Sequence, residues 1–361
     1  MKNLQLLFIL VVIVLAGCAS GEERWKKGIV SETFIYEEAP FPSCHAATIE
    51  ETPEGLIAAW FGGTHERHPD VCIYTSRYVD GAWTEPVNTA DGVVNDTLRY
   101  PTWNPVLFQV PEGALWLFYK AGPSPSTWKG YMKTSNDAGK TWSEARALPE
   151  GFIGPVKNKP VQLESGTILC GSSTEGDAWR IHMEATDPEA KEWAKTGFMN
   201  DGKTFQAIQP TILQHPDGVL QILCRSKNRV IVESWSYDDG KTWSLFQESD
   251  LPNNNSGFDG VTLSDGRHVL VYNHVKTPAN AGKGYRTPLN ISVSKDGRTW
   301  YAAAILEDSE ISQYSYPAVI QGSDGMLHIV YTWRREKIKY VRVDPDKLKL
   351  SRIMDEKWPS K

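Results

Sequence analysis

Seven cationic side chains lie near the ends of apolar stretches in a chain whose formal net charge is −6: Lys120, Lys157, Lys159, Arg225, Arg286, Arg334 and Arg335. Arg225 closes one apolar run and Arg286 opens another, whereas Arg334 and Arg335 read more simply as surface charge. Such groups converging on one cavity bind carboxylates, and guanidinium does so bidentately. A second set of polar residues recurs at a fixed spacing. Nine residues before a turn glycine stand Ala46, Asn104, Gln209 and Tyr316. In two repeats the turn reads as two residues shorter, and the matching positions become Lys159 and Asp259. His45 and Asn158 stand one position further out. Any one of these is simplest as a satisfied buried polar group. Their recurrence at one register argues instead for a shared pocket.

The elements that position them are repeats. Each unit is an apolar strand, a polar turn ending in glycine, a second apolar strand and an exposed hairpin. The turn glycines are Gly55, Gly113, Gly166, Gly218, Gly266 and Gly325, spaced 48 to 59 residues apart. Ser135–Trp142 and Ser236–Trp243 carry the full S-x-D-x-G-x-T-W pattern called an Asp-box, and Ser294–Trp300 a shorter form. Ser76–Trp83 and the hairpin ending at Trp193 read as decayed copies. In this pattern Asp caps backbone amides and Gly takes positive φ, so these aspartates are scaffold rather than catalysts. Six four-stranded units of about fifty residues predict an all-β, six-bladed β-propeller. The first strand of each blade then faces the central channel.

Composition excludes some classes. No basic run or reader motif accompanies the acidic charge, which argues against nucleic acid as a partner. The 14 Trp and 14 Tyr suit an all-β or sugar-binding protein. Trp60, Trp103, Trp128, Trp179, Tyr285 and Tyr314 are candidates to stack on sugar rings, Trp128 first because it follows a Gly/Pro/Ser loop. His65-Glu66-Arg67-His68 hints at metal but has no completing cluster, so it reads as a solvated rim; neither a metal nor a cofactor is expected. Residues 1–18 read as a signal peptide with a lipobox, Leu15-Ala16-Gly17-Cys18, and Cys18 as the lipidated residue. That places the expected protein in a bacterial cell envelope, lipid-anchored to a membrane. Residues 19–40 read as a linker and the start of the propeller, 41–350 as the propeller and 351–361 as a tail; a monomer is expected. Cys44, Cys72, Cys170 and Cys224 have no metal or disulfide-framework spacing, and separate buried thiols are favoured over a Cys44–Cys72 bridge.

Asp-boxes on six blades resemble the sialidase superfamily, over roughly Ser43 to Val343. Ala59-Trp60-Phe61-Gly62-Gly63, Trp103-Asn104-Pro105, Lys157-Asn158-Lys159-Pro160, Tyr272-Asn273-His274 and Tyr314-Ser315-Tyr316-Pro317 resemble a sialidase-like branch. The resemblance implies a three-arginine carboxylate clamp, a tyrosine nucleophile assisted by glutamate, and an aspartate acid/base. By spacing from the blade turns, Tyr316 falls on the tyrosine, Arg225 and Arg286 on two of the arginines, and Asp70 in the acid/base loop. His45 stands where the first arginine belongs and Gln209 where the glutamate belongs. Imidazole does not replace a bidentate guanidinium, and an amide cannot take a phenol proton.

The expected function is therefore an exo-glycosidase releasing an acidic sugar, with Tyr316, Asp70, His45 and Gln209 as catalytic candidates. Arg225, Arg286, Lys159, Asn104, Asp259, Lys120, Trp128 and Asn158 are the substrate-binding candidates. The alternatives are a lyase on uronate-containing glycan, with His45 or Tyr316 as base, and a non-catalytic glycan-binding lipoprotein.

Overall fold

The computed structural model describes residues 23–360; Cys18 and its leader lie outside the described residues. Apart from one short 3-10 turn at Pro216–Gly218, the elements are strands. Blade one contains Ser43–Thr52, Gly55–Gly63, Cys72–Val79 and the outer Val87–Ala90. Blade two contains Thr102–Gln109, Leu115–Ala121, Lys129–Ser135 and Arg146–Ala147, and blade three Val161–Gln162, Ile168–Glu175, Trp179–Thr186 and Trp193–Lys195. Blade four contains Ala207–Gln214, Leu220–Ser226, Val230–Ser236 and Gln247–Pro252. Asp259–Thr262, His268–Tyr272, Leu289–Ser294 and Trp300–Glu307 make blade five. Blade six has three strands from its own repeat, Tyr314–Gln321, Leu327–Trp333 and Lys337–Val343.

Both chain ends extend the propeller. Ile29–Phe34 pairs antiparallel with Lys337–Val343 and supplies the fourth strand of blade six. Ser351–Arg352, in the segment read as a tail, pairs with Trp300–Glu307 of blade five. The first of these closes the ring non-covalently, because the strand lies far in sequence from the blade it completes.

The core lies between blades. One apolar cluster joins Ala318, Ile320 and Val330 of blade six to Cys44, Ile49 and Trp60 of blade one. Equivalent clusters join one to two, two to three, three to four, four to five and five to six. Six clusters at six junctions are what a closed ring requires. The four cysteines in these blades are buried and free, as favoured from their spacing.

The Asp-boxes are self-contained turns. Asp137 accepts the Thr141 amide at 2.8 Å, the Thr141 hydroxyl at 2.6 Å and the Ser135 hydroxyl at 2.7 Å. Asp238 repeats this with Thr242 and Ser236, and those bonds pull its carboxyl down to about 2. In blade three Asp187 accepts the amides of Glu189, Lys191 and Glu192, and Ala190 adopts φ 53° in the place of the glycine. Ser76–Trp83 differs: its reversal is the two-residue turn Asp80-Gly81, both with positive φ, as a tight hairpin demands.

Candidate active site

Four of the six innermost strands carry an extra residue at the same place. The pairing slips between His45 and Thr48, opposite Phe118 and Lys120, between Ile208 and Thr211, and between Ser315 and Ala318. At each slip one non-glycine residue has positive φ: Ala46 (56°), Asn104 (30°), Gln209 (57°) and Tyr316 (53°). Such conformations cost about 1–3 kcal/mol each and persist where surrounding structure imposes them. Proline follows three of the four, so at three bulges the unpaired position has no N–H to lose.

The bulge corrects the register expected in blades three and five. The residues at the level of Tyr316 are Lys157 and Gly257, which lie nine before their turn glycines with no adjustment. Lys157 Nζ donates to the Pro317 carbonyl at 2.5 Å and the Phe258 carbonyl at 3.0 Å, and lies 5.9 Å from the Tyr316 ring centre. A Cβ on Gly257 would stand 3.0 Å from Gln209 Oε1 and 3.2 Å from the Tyr316 ring. Lys159 and Asp259, two residues further along, pair with each other at 2.7 Å. Asp259 also accepts the Thr211 hydroxyl at 3.0 Å and the Val319 amide at 3.0 Å. These bonds tie the inner strands of blades three to six together, so Lys159 and Asp259 are a strut, not ligand contacts.

Tyr316 is the centre of the hollow. Its hydroxyl accepts from Arg225 Nη1 at 2.5 Å and from Gln209 Nε2 at 3.3 Å. The same Arg225 nitrogen donates to Gln209 Oε1 at 3.3 Å, which fixes the amide with its NH₂ toward the phenol. Gln209 is therefore a donor here. Two donors on one phenol oxygen favour negative charge developing there. Asn255 holds the other side of Arg225 through its side-chain oxygen and its carbonyl, the latter at 2.7 Å. The Asn158 amide donates to the Gln209 carbonyl at 3.1 Å and its oxygen accepts from Lys157 at 2.8 Å, so Asn158 buttresses the bulge.

Two arginines flank this phenol, and a third lines a cleft with one of them. The Arg225 guanidinium lies 5.7 Å and that of Arg286 5.5 Å from its ring centre, and Arg286 also donates to Ser315 Oγ at 3.3 Å. Arg335, read from the sequence as surface charge, lines a cleft of about 370 Å³ with Arg286 and the exposed Tyr285. It pairs with Glu66 at 2.7 Å. Burial, offset by Tyr316 and reinforced by Arg225 and Arg335, pulls Arg286 down to about 10. Burial likewise brings Lys157 to about 7, against the pull of Asp259 and helped by Lys159 and Arg225. Cations held close enough to depress one another form a site that favours an anion.

His45 packs against Tyr316 with ring centres 4.1 Å apart and planes tilted by 45°, and its Nδ1 meets the Thr332 hydroxyl at 2.9 Å. Burial, then Arg335, Arg286, Arg225 and Lys157, hold it well below the usual imidazole range, so it is neutral at pH 7. Asn104 is buried at its own bulge, its amide without a hydrogen bond among the described residues.

Other candidates are held by partners of their own. Asp70 is 42% exposed and held by its own loop, accepting the Thr64 hydroxyl at 2.6 Å and amide at 3.0 Å and pairing with His68 at 2.8 Å. Partial burial raises it, yet those bonds win and leave it below the usual carboxylate range, the wrong direction for an acid. Lys120 is sealed between blades two and three, donating to the Pro155 carbonyl, and burial brings it to about 7. Trp128 is buried, edge-on to Trp103 at 5.8 Å, and Trp60 and Tyr314 are also core. Trp179 is half-buried at the rim under Arg225 (5.2 Å) and Lys227 (4.5 Å).

Sequence reading missed Glu175. It ends strand Ile168–Glu175 opposite Trp179 in the hairpin register, beside Arg225. Burial raises its carboxyl, Arg225 and Lys227 draw it down and Glu66 pushes it back, leaving it above the ordinary range. Its only sequence signal was its place at the top of a second blade strand.

Residues 54–329 match the family model of the BNR repeat-like domain. No curated protein matches. A structure of unknown function from Dyadobacter fermentans superposes with a TM-score of 0.71 at 16% identity, covering 88% of this chain and 98% of that one. The intramolecular trans-sialidase of Ruminococcus gnavus, solved with oseltamivir carboxylate, gives 0.69 at 15% identity over 90% and 99%. An α-L-arabinanase of Penicillium chrysogenum, solved with arabinobiose, gives 0.62 at 16% identity over 89% and 99%.

Proposed function

Because the chain belongs to the BNR repeat-like family and folds as a six-bladed sialidase-like propeller, we propose that it is a carbohydrate-active enzyme acting on a glycan that bears an acidic sugar. The observation that carries this reading is that Arg225 and Arg286 flank the Tyr316 ring, with Arg335 close enough to Arg286 to depress it, in a chain of net charge −6. Arg225 and Arg335 both repel Arg286, and a carboxylate bound among them relieves that repulsion.

In the hydrolytic form, the arginines hold the carboxylate and set the anomeric carbon over Tyr316 Oη. Tyr316, as the phenolate that Arg225 and Gln209 stabilise, attacks or stabilises that carbon as the bond to the leaving oxygen breaks. Glu175, whose carboxyl burial raises above its ordinary range, gives that oxygen its proton; its carboxylate then takes a proton from the water that attacks the anomeric carbon, and Tyr316 is released. The folds of the trans-sialidase and the arabinanase support this form.

One observation favours a second reading, elimination on a uronate. Gln209 donates to Tyr316 and so cannot take the phenol proton. A Tyr316 phenolate, stabilised by Arg225 and Gln209, or the neutral His45, would remove the proton next to the carboxylate. The electron pair forms the C4–C5 double bond, and the leaving oxygen departs with a proton. Acidic oligosaccharides incubated with purified protein separate the two. Reducing ends without new ultraviolet absorbance mean hydrolysis, cleavage with absorbance of an unsaturated uronate means elimination, and cleavage of none removes the enzymatic reading. Attachment to the cell envelope through Cys18 is part of the proposal, and membrane extraction of Cys18→Ser tests it: the variant should become soluble.

A further inference from the structure

At three blade junctions large side chains fill the outer wedge. Tyr340 meets Tyr78 and Trp83 between blades six and one, Trp193 meets Phe118 and Phe152 between two and three, and Arg298 covers Trp235 between four and five. Between blades one and two the outer wedge is open. A cleft of about 990 Å³ runs there, bounded by the outer strands of both blades and by Asp91–Val94 and Tyr100 at the ends of a small extra hairpin. That hairpin, Val93–Asn95 with Leu98–Arg99, belongs to no blade. Arg99 fastens it to blade one through the Asp70 carbonyl and the Cys72 sulfur.

The floor is a tyrosine pair, Tyr119 and Tyr131, stacked with ring centres 5.5 Å apart and planes inclined at 20°. Tyr119 is 97% buried and lines the cleft together with the half-buried Tyr131. Burial, and then Tyr131 and Asp91, push the Tyr119 phenol up, so it remains an O–H donor. The charged groups on the walls balance: Asp91 and Glu144 against Lys129 and Lys133, the last already donating to the Thr89 carbonyl at 2.8 Å. Asn88 adds an exposed amide at one edge. The hub is built for an anion; this cleft is not.

We propose that the cleft between blades one and two is a second glycan site, which takes an uncharged, hydroxyl-rich sugar unit on the Tyr119–Tyr131 floor. Its volume is that of a ligand pocket, and aromatic rings flanked by amide, carboxylate and ammonium groups match a pyranose, which has apolar faces and a polar rim. The site lies on the outer wall, away from Tyr316, so it binds whatever reaction the hub performs.

Saturation-transfer NMR with lactose and with cellotetraose tests it on the full-length protein. Transfer from at least one of the two sugars is expected, retained in the hub variant Arg225→Ala. In Asn88→Trp, where an exposed residue is enlarged to fill the cleft, binding should weaken about tenfold or more. A melting curve shows that this variant is folded, and Tyr131→Phe, which removes one hydroxyl, should weaken binding less. Absence of transfer from both sugars, its survival in Asn88→Trp, or its loss in Arg225→Ala would each overturn the proposal.

Discussion

The Asp-box turns and the hub use the same materials to opposite ends. Each Asp-box places an acid, a hydroxyl and a positive-φ residue within eight positions, and every strong acceptor is filled from inside the turn. The hub takes its groups from five blades and leaves like charges facing one another around a phenol. Nothing in the fold requires that second arrangement, since blades three and five close without a bulged residue of positive φ at the same level. A region that satisfies itself is scaffold; a region satisfied only by an added anion is a site.

The largest break in this comparison should come from Tyr316→Phe. Turnover of an acidic glycan should fall about 10²–10⁴-fold while the melting temperature stays within a degree or two of the parent, roughly the reach of a surface change. Next, Arg286→Ala or Arg335→Ala should each cost about 1.5–3 kcal/mol in kcat/KM, as a charged hydrogen bond does; a substrate analogue with the carboxylate reduced to an alcohol should not register the change. Equal losses for both substrates would mean the arginines only support the fold. Glu175→Gln should remove the alkaline limb of the pH–rate profile, because a carboxyl raised by burial gives up its proton as pH rises through its shifted pKa.

On the scaffold side the effects shrink and change kind. Asp238→Ala should leave turnover unaltered and lower only the melting temperature, since its carboxylate is held by Thr242, Ser236 and Lys241 of its own turn. The smallest expected effect concerns His45. Its folded pKa lies below the free value of 6.5, so the unfolded chain binds the extra proton first. Stability from keeping it neutral is therefore full above about pH 6.5 and is lost as pH falls toward the folded pKa. His45→Gln should flatten the denaturation midpoint against pH over that range, relative to the parent.

Much of the fold was legible because it is repeated and local. Turn glycines and Asp-boxes act within a few residues, so their spacing carries the blade count. The register of the hub was legible in four blades and displaced by two residues in the others. Counting from a turn that looked short moved Lys157 and Gly257 to Lys159 and Asp259, although the bulge level had not moved. Arg335 was passed over because its approach to Arg286 depends on the hairpin after Trp333, where Arg334 and Arg335 both take positive φ. Lys120 misled for the reverse reason: a lysine ending an apolar strand looks available, and only the neighbouring blade buries it. Ile29–Phe34 carries little apolar pattern, with four exposed residues of six, so an edge strand completing a distant blade left no local mark.

The central claim is that the three arginines hold a carboxylate above Tyr316. A crystal of the Tyr316→Phe variant soaked with an acidic oligosaccharide tests it most directly. The sugar carboxylate should lie within hydrogen-bond distance of Arg225, Arg286 and Arg335, with the anomeric or neighbouring ring carbon facing position 316. Density for the acidic sugar elsewhere, with the hub still empty, would contradict it.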